Sequence, residues 1–217
     1  LSLPSNPLGT ILTKEEKDEL IKIIANNNIF VVTDEIYESL IYEEYYSVAE
    51  EKEILDKVIY ISGFSKMFSM TGLRVGYFAA QKQLMDEIMK VHQYNVSCAT
   101  SICQWAALEG LRNGLDDVEN MRNVLRERKD YVISELRNMG LEVNEPKGAF
   151  YVFPSIKKFN MSSEEFCLKL LNEEKIACVP GSSFGIGGEG YIRISYCYSM
   201  EELKKALLGL KKFINKI

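Results

Sequence analysis

Histidine and paired cysteines are scarce in this 217-residue sequence, and their scarcity argues against several kinds of site. There is one histidine, His92, and there are five cysteines at irregular spacings. None of the cysteines forms a C-x-x-C pair or joins His92 in a ligand pattern, so a metal site and a Cys-His nucleophile are both disfavoured. We interpret them as reduced, mostly buried thiols of a cytosolic protein. The five are Cys98, Cys103, Cys167, Cys178 and Cys197.

Long apolar runs and basic stripes are also lacking. No run approaches the ~18 to 20 apolar residues that cross a bilayer, and the first residues show no signal-peptide pattern. The 26 Lys and Arg residues are outnumbered by 31 Asp and Glu residues, which gives a net charge of −5. The sequence therefore predicts no membrane partner, no nucleic-acid partner and a cytoplasmic location.

The composition that remains is typical of a folded globular protein. Apolar residues make up 47% of the chain, charged residues 26% and aromatic residues 11%. Disordered chains are poorer in aromatic residues and richer in charge, so that class is excluded. At ~150 residues per domain, the length allows one large domain or two small ones.

The first third of the chain alternates strands and helices. A capping-box pattern that begins at Thr13 predicts a helix ending near Ala25. Continuous β-branched and aromatic runs at 29–33 and 58–62 are typical of strands buried on both faces, as in parallel sheets. The segment 1–118 is therefore predicted to belong to a large α/β domain with a mainly parallel sheet.

The rest of the chain changes from helices to a mixed pattern. Helical spacing extends from about 83 to 140, and its last helix, about 116–139, is long and charged like a connector between domains. Short strands are predicted at 141–143, 150–153, 176–179 and 191–196, and helices at 163–174 and 200–217. The segment 119–217 is therefore predicted to hold the connecting helix and a small α+β domain.

Three charged residues near the ends of the predicted strands suggest a chemistry. Asp34 follows the first buried run, so its carboxylate lies at the carboxyl end of a parallel strand, where α/β sheets bind ligands. Lys66 follows the second run, and a lysine partly shielded from water is a nucleophile toward carbonyls. Arg74 lies between glycines, which let an anion approach its guanidinium closely. Together they suit pyridoxal phosphate, with the aldehyde on Lys66, the pyridinium on Asp34 and the phosphate on Arg74.

Four sequence blocks, in their order, resemble the fold-type I, class I/II aminotransferases, which use pyridoxal phosphate (PLP). The blocks are Asn6-Pro7-x-Gly9, Asp34-Glu35-Ile36-Tyr37, Ser62-Gly63-Phe64-Ser65-Lys66 followed by Met70 to Tyr77, and Tyr191 to Ser195. The resemblance covers all 217 residues. It implies an aspartate-aminotransferase-like fold, in which 1–118 form the carboxyl part of the PLP-binding large domain and 119–217 form the small domain.

The resemblance also implies roles for the residues that would contact the cofactor ring. Lys66 would hold the cofactor as a Schiff base and then move a proton at the substrate Cα. Asp34 would keep the pyridine nitrogen protonated. Tyr37 and Asn6 would hydrogen-bond the oxygen on the ring, and Asn6 would also lie near the substrate carboxylate.

Two anion sites follow from the same resemblance. Arg74, helped by Ser65, would bind the cofactor phosphate. Arg193 would hold the substrate α-carboxylate through two parallel hydrogen bonds. From the residues alone, Arg193 has an alternative interpretation as an ordinary strand arginine paired with Glu189.

Three features depart from the family pattern. Leu8 replaces the usual threonine of the Asn-Pro-Thr-Gly turn. Gly63 stands where some members have a phosphate-binding serine, so the hydrogen bond from that serine to the phosphate is not expected here. The family's chains carry more than a hundred residues before that turn, so we expect this sequence to be the carboxyl part of such a protein.

The implied activity is transfer of an amino group from an L-amino acid, aspartate or an aromatic one, to a 2-oxo acid by a homodimer. Two alternatives share the same residues. One is a PLP-dependent lyase of the same fold that breaks a Cβ–S bond. The other is a non-enzymatic, aminotransferase-like sensing domain of a transcription regulator, which would follow a basic helix-turn-helix segment.

Overall fold

The computed structural model describes residues 1–217, and the chain divides into two compact units. The first unit comprises Leu1–Ser5, Thr10–Arg122 and Lys147–Ala149. The second comprises Asn6–Gly9, Asn123–Pro146 and Phe150–Ile217. Compactness alone does not define a domain, so the division between residues 118 and 119 stays a prediction.

Seven α-helices and six strands make up the regular structure. The helices are α1 (Lys14–Asn26), α2 (Phe64–Met67), α3 (Lys82–Asn95), α4 (Ser101–Asn113), α5 (Leu115–Asn138), α6 (Ser163–Glu174) and α7 (Met200–Ile214). The strands are β1 (Val31–Asp34), β2 (Val58–Gly63), β3 (Gly76–Ala80), β4 (Tyr151–Val152), β5 (Val179–Pro180) and β6 (Ile192–Ser195). Short 3₁₀ turns lie at Val48–Glu50, Lys52–Lys57, Thr71–Leu73, Lys157–Phe159, Gly181–Phe184 and Ile186–Gly188.

Helix α1 begins with the capping box that the sequence predicts. The Thr13 hydroxyl accepts a hydrogen bond from the Glu16 N–H at 3.2 Å, and the Glu16 carboxylate accepts one from the Thr13 N–H at 2.8 Å. Both bonds satisfy N–H groups that the first turn of a helix leaves without partners. The helix buries Ile21 and Ile24 in a cluster with Val58 of β2, so it covers one face of the sheet.

The first unit contains a three-stranded sheet in the order β1-β2-β3. β1 and β2 are parallel, as predicted, with Val31 opposite Val58 and Asp34 opposite Ile61. β3 is antiparallel to β2 and escaped the sequence analysis, because its glycine and alanines have low strand propensity.

The prediction that the 29–33 run is buried on both faces is wrong. Thr33 is buried, but Phe30 is 62% exposed and Val32 is 46% exposed. Alternate residues of a strand point to opposite faces, and α1 covers only the face that carries Val31. The face that carries Val32 and the 36%-exposed Ile61 is uncovered in this chain.

The second unit contains a smaller antiparallel sheet in the order β4-β6-β5. Helices α6 and α7 pack together, and Phe166 meets Phe213 edge to face with ring centres 5.2 Å apart. The strands predicted at 150–153 and 191–196 are present in shortened form, and β5 overlaps the strand predicted at 176–179 only at Val179. The prediction of a strand at 141–143 is wrong. The Glu142 carbonyl accepts one hydrogen bond from the Ser155 N–H at 2.8 Å, but the segment forms no ladder of strand hydrogen bonds.

The cysteines divide into shielded and exposed thiols. Cys103 and Cys167 are buried and Cys178 is partly buried, whereas Cys98 and Cys197 are exposed. Burial raises the pKa of Cys167 to about 11 and, together with the nearby Cys167, raises the pKa of Cys178 to about 12. The thiols are therefore less uniformly buried than predicted.

No helix has the length and apolar composition needed to cross a membrane.

The uncovered sheet face generates a prediction for the 217-residue chain made alone. Exposed apolar strand surface favours association, so the chain should self-associate as its concentration rises in sedimentation velocity. The double variant Phe30→Ser, Val32→Ser should associate less. Ile23→Ser, which removes a similarly exposed side chain from α1, should behave like the unmodified chain. Equal association of all three proteins would contradict a role for this face.

Candidate active site

The end of the parallel strand pair gathers three of the residues singled out in the sequence. Asp34 is the last residue of β1, and one of its carboxylate oxygens accepts a hydrogen bond from the Ile36 N–H at 3.1 Å. Tyr37 is buried in the next turn. Lys66 lies on α2, directly after β2, with its Nζ 5.7 Å from the centre of the Tyr37 ring. The first unit therefore brings Lys66 and Tyr37 together beside the strand end that carries Asp34.

Ser65 and Arg74 belong to the same unit. Ser65 precedes Lys66 on the short helix α2. Arg74 has left-handed backbone geometry, with φ of 56°, after the 3₁₀ turn Thr71–Leu73. Its guanidinium donates to the Thr71 carbonyl at 3.0 Å, and the residue is exposed. An exposed guanidinium that is held by one backbone carbonyl keeps other N–H groups for an anion.

The close approach of two strands gives a physical reason for the glycine at position 63. Gly63 ends β2 opposite Gly76 of β3. A Cβ at Gly63 would lie 2.9 Å from the Gly76 Cα and 3.1 Å from the Val75 carbonyl oxygen. Backbone atoms cannot move aside cheaply, so the close approach of β2 and β3 favours glycine at position 63.

A buried carboxylate that the sequence analysis did not single out anchors the end of β1. Glu35 is 1% exposed, and its oxygens accept hydrogen bonds from the hydroxyls of Thr33 at 2.9 Å, Ser47 at 2.7 Å and Tyr45 at 2.7 Å. Burial and the bond to Glu35 raise the pKa of Tyr45, so its phenol stays a donor at neutral pH. The signal in the sequence was a second acid directly after Asp34.

Glu38 makes a similar anchor one turn later. Its carboxylate accepts from the Ser62 hydroxyl of β2 at 2.7 Å and from the phenol of Tyr60. Burial, followed by the bond to Glu38, raises the pKa of Tyr60. The turn that carries Tyr37 is therefore tied to the strand that leads to Lys66.

In the second unit, Arg193 on β6 is held by neutral groups. One terminal nitrogen donates to the side-chain oxygen of Asn6 at 2.8 Å. The guanidinium carbon lies 4.4 Å from the centre of the Tyr151 ring and 5.1 Å from that of Phe184. Arginine stacks well on aromatic rings, so these contacts fix its plane. The sequence analysis did not assign either ring to the site.

The alternative pairing of Arg193 with Glu189 is not what the structure shows. The Glu189 carboxylate accepts from the backbone N–H of Ser163 at 2.7 Å. The Nε of Arg193 is buried and has no hydrogen-bond partner. A buried donor without a partner is costly unless a ligand supplies an acceptor, so this guanidinium fits an anionic ligand.

The donor set of the first unit fits pyridoxal phosphate. An amine at Lys66, a carboxylate at Asp34, a phenol at Tyr37 and a guanidinium at Arg74 complement its aldehyde, pyridine nitrogen, ring oxygen and phosphate. Ser65 adds a hydroxyl.

Comparison with known proteins settles the family. The sequence pattern described as "Aminotransferase class I and II" matches residues 1–210. The chain belongs to this family. Its predicted fold class, α/β with an aspartate-aminotransferase-like arrangement, is confirmed by similar solved structures. The crystal structure of the aromatic aminotransferase from Pyrococcus horikoshii OT3 matches 99% of this chain and 59% of that chain, with a TM-score of 0.95 and 36% identity.

Curated relatives of this aminotransferase family member give the same result. A Bacillus subtilis protein named "Probable N-acetyl-LL-diaminopimelate aminotransferase" is 48% identical over 217 residues, which cover 100% of this chain and 55% of the relative. The aspartate aminotransferase of Pyrococcus abyssi is 38% identical over 218 residues, which cover 99% of this chain and 56% of the relative. The chain spans about half the length of the curated relatives it matches.

The anchor at Glu35 predicts a stability effect in the full-length protein. Glu35→Gln replaces an acceptor-only carboxylate by an amide whose NH₂ faces hydroxyl donors, so the free energy of unfolding in urea should fall by about 1–3 kcal/mol. Glu53→Gln, at an exposed position, is the matched control and should change it by less than about 0.5 kcal/mol. Equal effects of the two substitutions would contradict the anchoring role.

Proposed function

We propose that the protein containing this chain is a PLP-dependent aminotransferase that moves the amino group of an L-amino acid to a 2-oxo acid. One observation carries the proposal: a member of the aminotransferase family keeps a lysine, Lys66, against Tyr37 at the end of a parallel strand pair. When bound, pyridoxal phosphate supplies an electron-accepting ring for the substrate Cα. The roles below belong to the chain's own side chains.

Asp34 and Lys66 perform the proton chemistry. The carboxylate of Asp34 would favour the protonated form of the cofactor's ring nitrogen, because an anion stabilises that form. Lys66 would hold the cofactor and, as a free amine, would move the proton at the substrate Cα. The amine is carried by α2, which directly follows β2.

The remaining residues of the set bind and orient. Tyr37 donates to the ring oxygen, and Asn6 shares this role according to the family resemblance. Arg74 and Ser65 hold the phosphate through charge-assisted and hydroxyl hydrogen bonds. Because these groups orient without reacting, their loss should weaken binding more than it slows proton transfer.

Arg193 binds the substrate α-carboxylate. Its guanidinium plane is fixed by Tyr151 and Phe184 and its terminal nitrogen by Asn6. The unpaired Nε supports this role, because a carboxylate supplies the missing acceptor. Planar two-point recognition is a property of arginine that lysine lacks.

Aspartate and aromatic amino acids are the proposed donors, in keeping with the names of the relatives reported above; N-acetyl-LL-diaminopimelate is a third donor to test. Those names also support an aminotransferase over the lyase and the sensing domain.

We further propose a homodimer in the cytoplasm. The strongly exposed apolar residues of α3 and α4, Tyr94, Ile102 and Trp105, support a partner on those helices.

Attachment at Lys66 is directly testable. Borohydride reduction of the full-length protein loaded with pyridoxal phosphate should leave a pyridoxyl group on the peptide that contains Lys66, detected by peptide mass mapping. Lys66→Arg should abolish the adduct and the long-wavelength cofactor absorbance, whereas Lys147→Arg should keep both. A principal adduct on Lys147 or on another lysine would overturn the assignment.

Arg193 tests the reaction and the substrate class together. The full-length enzyme should transfer the amino group of L-aspartate, L-phenylalanine or N-acetyl-LL-diaminopimelate to 2-oxoglutarate. Arg193→Lys should raise KM for the best donor on the order of a hundredfold, because the planar fork is lost, while the absorbance of the bound cofactor stays nearly unchanged. Arg137→Lys, at an exposed surface arginine, should leave KM unchanged.

Two results would contradict these proposals. No transfer from any of the three donors by the loaded wild-type enzyme would overturn the proposed reaction and donor classes. Loss of cofactor absorbance in Arg193→Lys with an unchanged KM would assign Arg193 to the cofactor instead of the substrate.

A further inference from the structure

The turn that carries Asn6 accepts hydrogen bonds from two distant side chains, Arg193 and Asn144. The Nδ2 of Asn144 donates to the backbone carbonyl of Leu8 at 2.7 Å. Asn6, two residues before Leu8, accepts from Arg193 at 2.8 Å. Residues Asn6–Gly9 therefore receive one hydrogen bond from each of two side chains that are far away in the sequence.

We infer that Asn144 is a positioning residue for substrate binding: it holds the Asn6–Gly9 turn so that Asn6 orients the guanidinium of Arg193. This inference rests on the proposed role of Arg193 as the group that binds the substrate carboxylate. It adds a residue outside the sequence blocks that resemble the family.

The turn is closed at its base, where the Ser5 N–H donates to the Thr10 carbonyl at 3.0 Å, but its tip is open to solvent. Asn6 and Leu8 are both exposed. Gly9 has φ of +65°, a conformation that glycine adopts readily. A short exposed turn with a glycine is mobile unless its backbone polar groups are tied down. The bond from Asn144 to the Leu8 carbonyl provides that restraint two residues from Asn6.

Asn144 is itself well placed to act as a fixed point. It lies in the extended segment between α5 and β4, which begins at the buried Leu141 and is followed by the buried Pro146. Within this segment the Glu142 carbonyl accepts from the Ser155 N–H at 2.8 Å. Backbone pairing on one side and buried residues at both ends keep the amide in place.

Asn144 also lines a cavity together with Phe184, whose ring packs on Arg193. The cavity, of about 620 Å³, is lined by Leu8, Asn144, Phe153, Phe184 and Tyr191, among others. Phe153 stacks on Tyr191 with ring centres 5.2 Å apart and meets Phe184 edge to face at 5.9 Å. Phe153 therefore supports the Phe184 ring that packs on the guanidinium of Arg193.

The chemistry at position 144 requires a donor. The Leu8 carbonyl is an acceptor, and the other end of the Asn144 amide, Oδ1, is buried without a hydrogen-bond partner. An aspartate would place a carboxylate against that carbonyl, and a leucine of similar shape would offer no polar group. Both substitutions remove the restraint, and the leucine does so while also removing the unsatisfied oxygen.

The expected effect is on substrate binding. A loosened turn leaves the guanidinium of Arg193 correctly oriented for a smaller fraction of the time, which weakens the carboxylate complex in the ground state and the transition state alike. Such uniform weakening raises KM and leaves kcat nearly unchanged. A general loss of structure would instead lower kcat and the amount of bound cofactor.

The test uses the full-length enzyme loaded with pyridoxal phosphate and the best donor of the three named above. Asn144→Asp and Asn144→Leu should each raise KM on the order of tenfold, the effect of one hydrogen bond. Both should keep kcat within about twofold and leave the amount of bound cofactor unchanged, because Lys66, Asp34 and Arg74 are not altered. Asn172→Asp, an exposed asparagine on α6, is the matched control and should not change KM.

A double-mutant cycle separates positioning from a purely structural role. If Asn144 acts through Asn6, Asn144→Leu should raise KM much less in an Asn6→Ala background than in the wild type. An equal increase in both backgrounds, or an unchanged KM in both Asn144 variants, would overturn the positioning role while the effect of Arg193→Lys stands. An unchanged KM in Arg193→Lys would overturn the proposed function and this inference together.

Discussion

The parallel pairing of β1 with β2 is the constraint on which the first unit's site depends. Its register sets Asp34 opposite Ile61, and β2 continues for two more residues to Gly63 before the chain enters α2. Lys66 therefore lies just beyond the same edge of the sheet at which β1 ends with Asp34. A slip of one residue would turn Asp34 to the opposite face, so the buried contacts that hold the register also hold the site.

Both units hold a charged side chain with neutral partners. Around Glu35 the donors are hydroxyl groups, and around Arg193 the contacts are an amide and two aromatic rings. Neutral hydrogen bonds and ring contacts fix a charged side chain without cancelling its charge. This matters most for Arg193, because an acidic neighbour would compete with an anionic ligand for the guanidinium.

Local signals in the sequence were sufficient for much of the fold. The capping box at Thr13, the β-branched runs that form β1 and β2, and the long helix ended by Gly140 are local patterns, and each is present. Long-range pairing was not readable in the same way. The bond from Asn144 to Leu8 joins residues 136 positions apart, and the restriction at Gly63 arises only where β2 meets β3. The double burial expected for β1 was wrong because periodicity describes the strand and not what covers it.

The unequal burial of the cysteines has a consequence for chemical labelling. The thiolate is the reactive form, and burial raises the pKa of Cys178 to about 12, so this thiol stays protonated at neutral pH. Cys178 and, to a lesser degree, Cys167 are therefore nearly inert toward alkylating reagents in the folded state. The exposed Cys98 and Cys197 are the natural attachment points for a fluorophore or spin label, one in each compact unit.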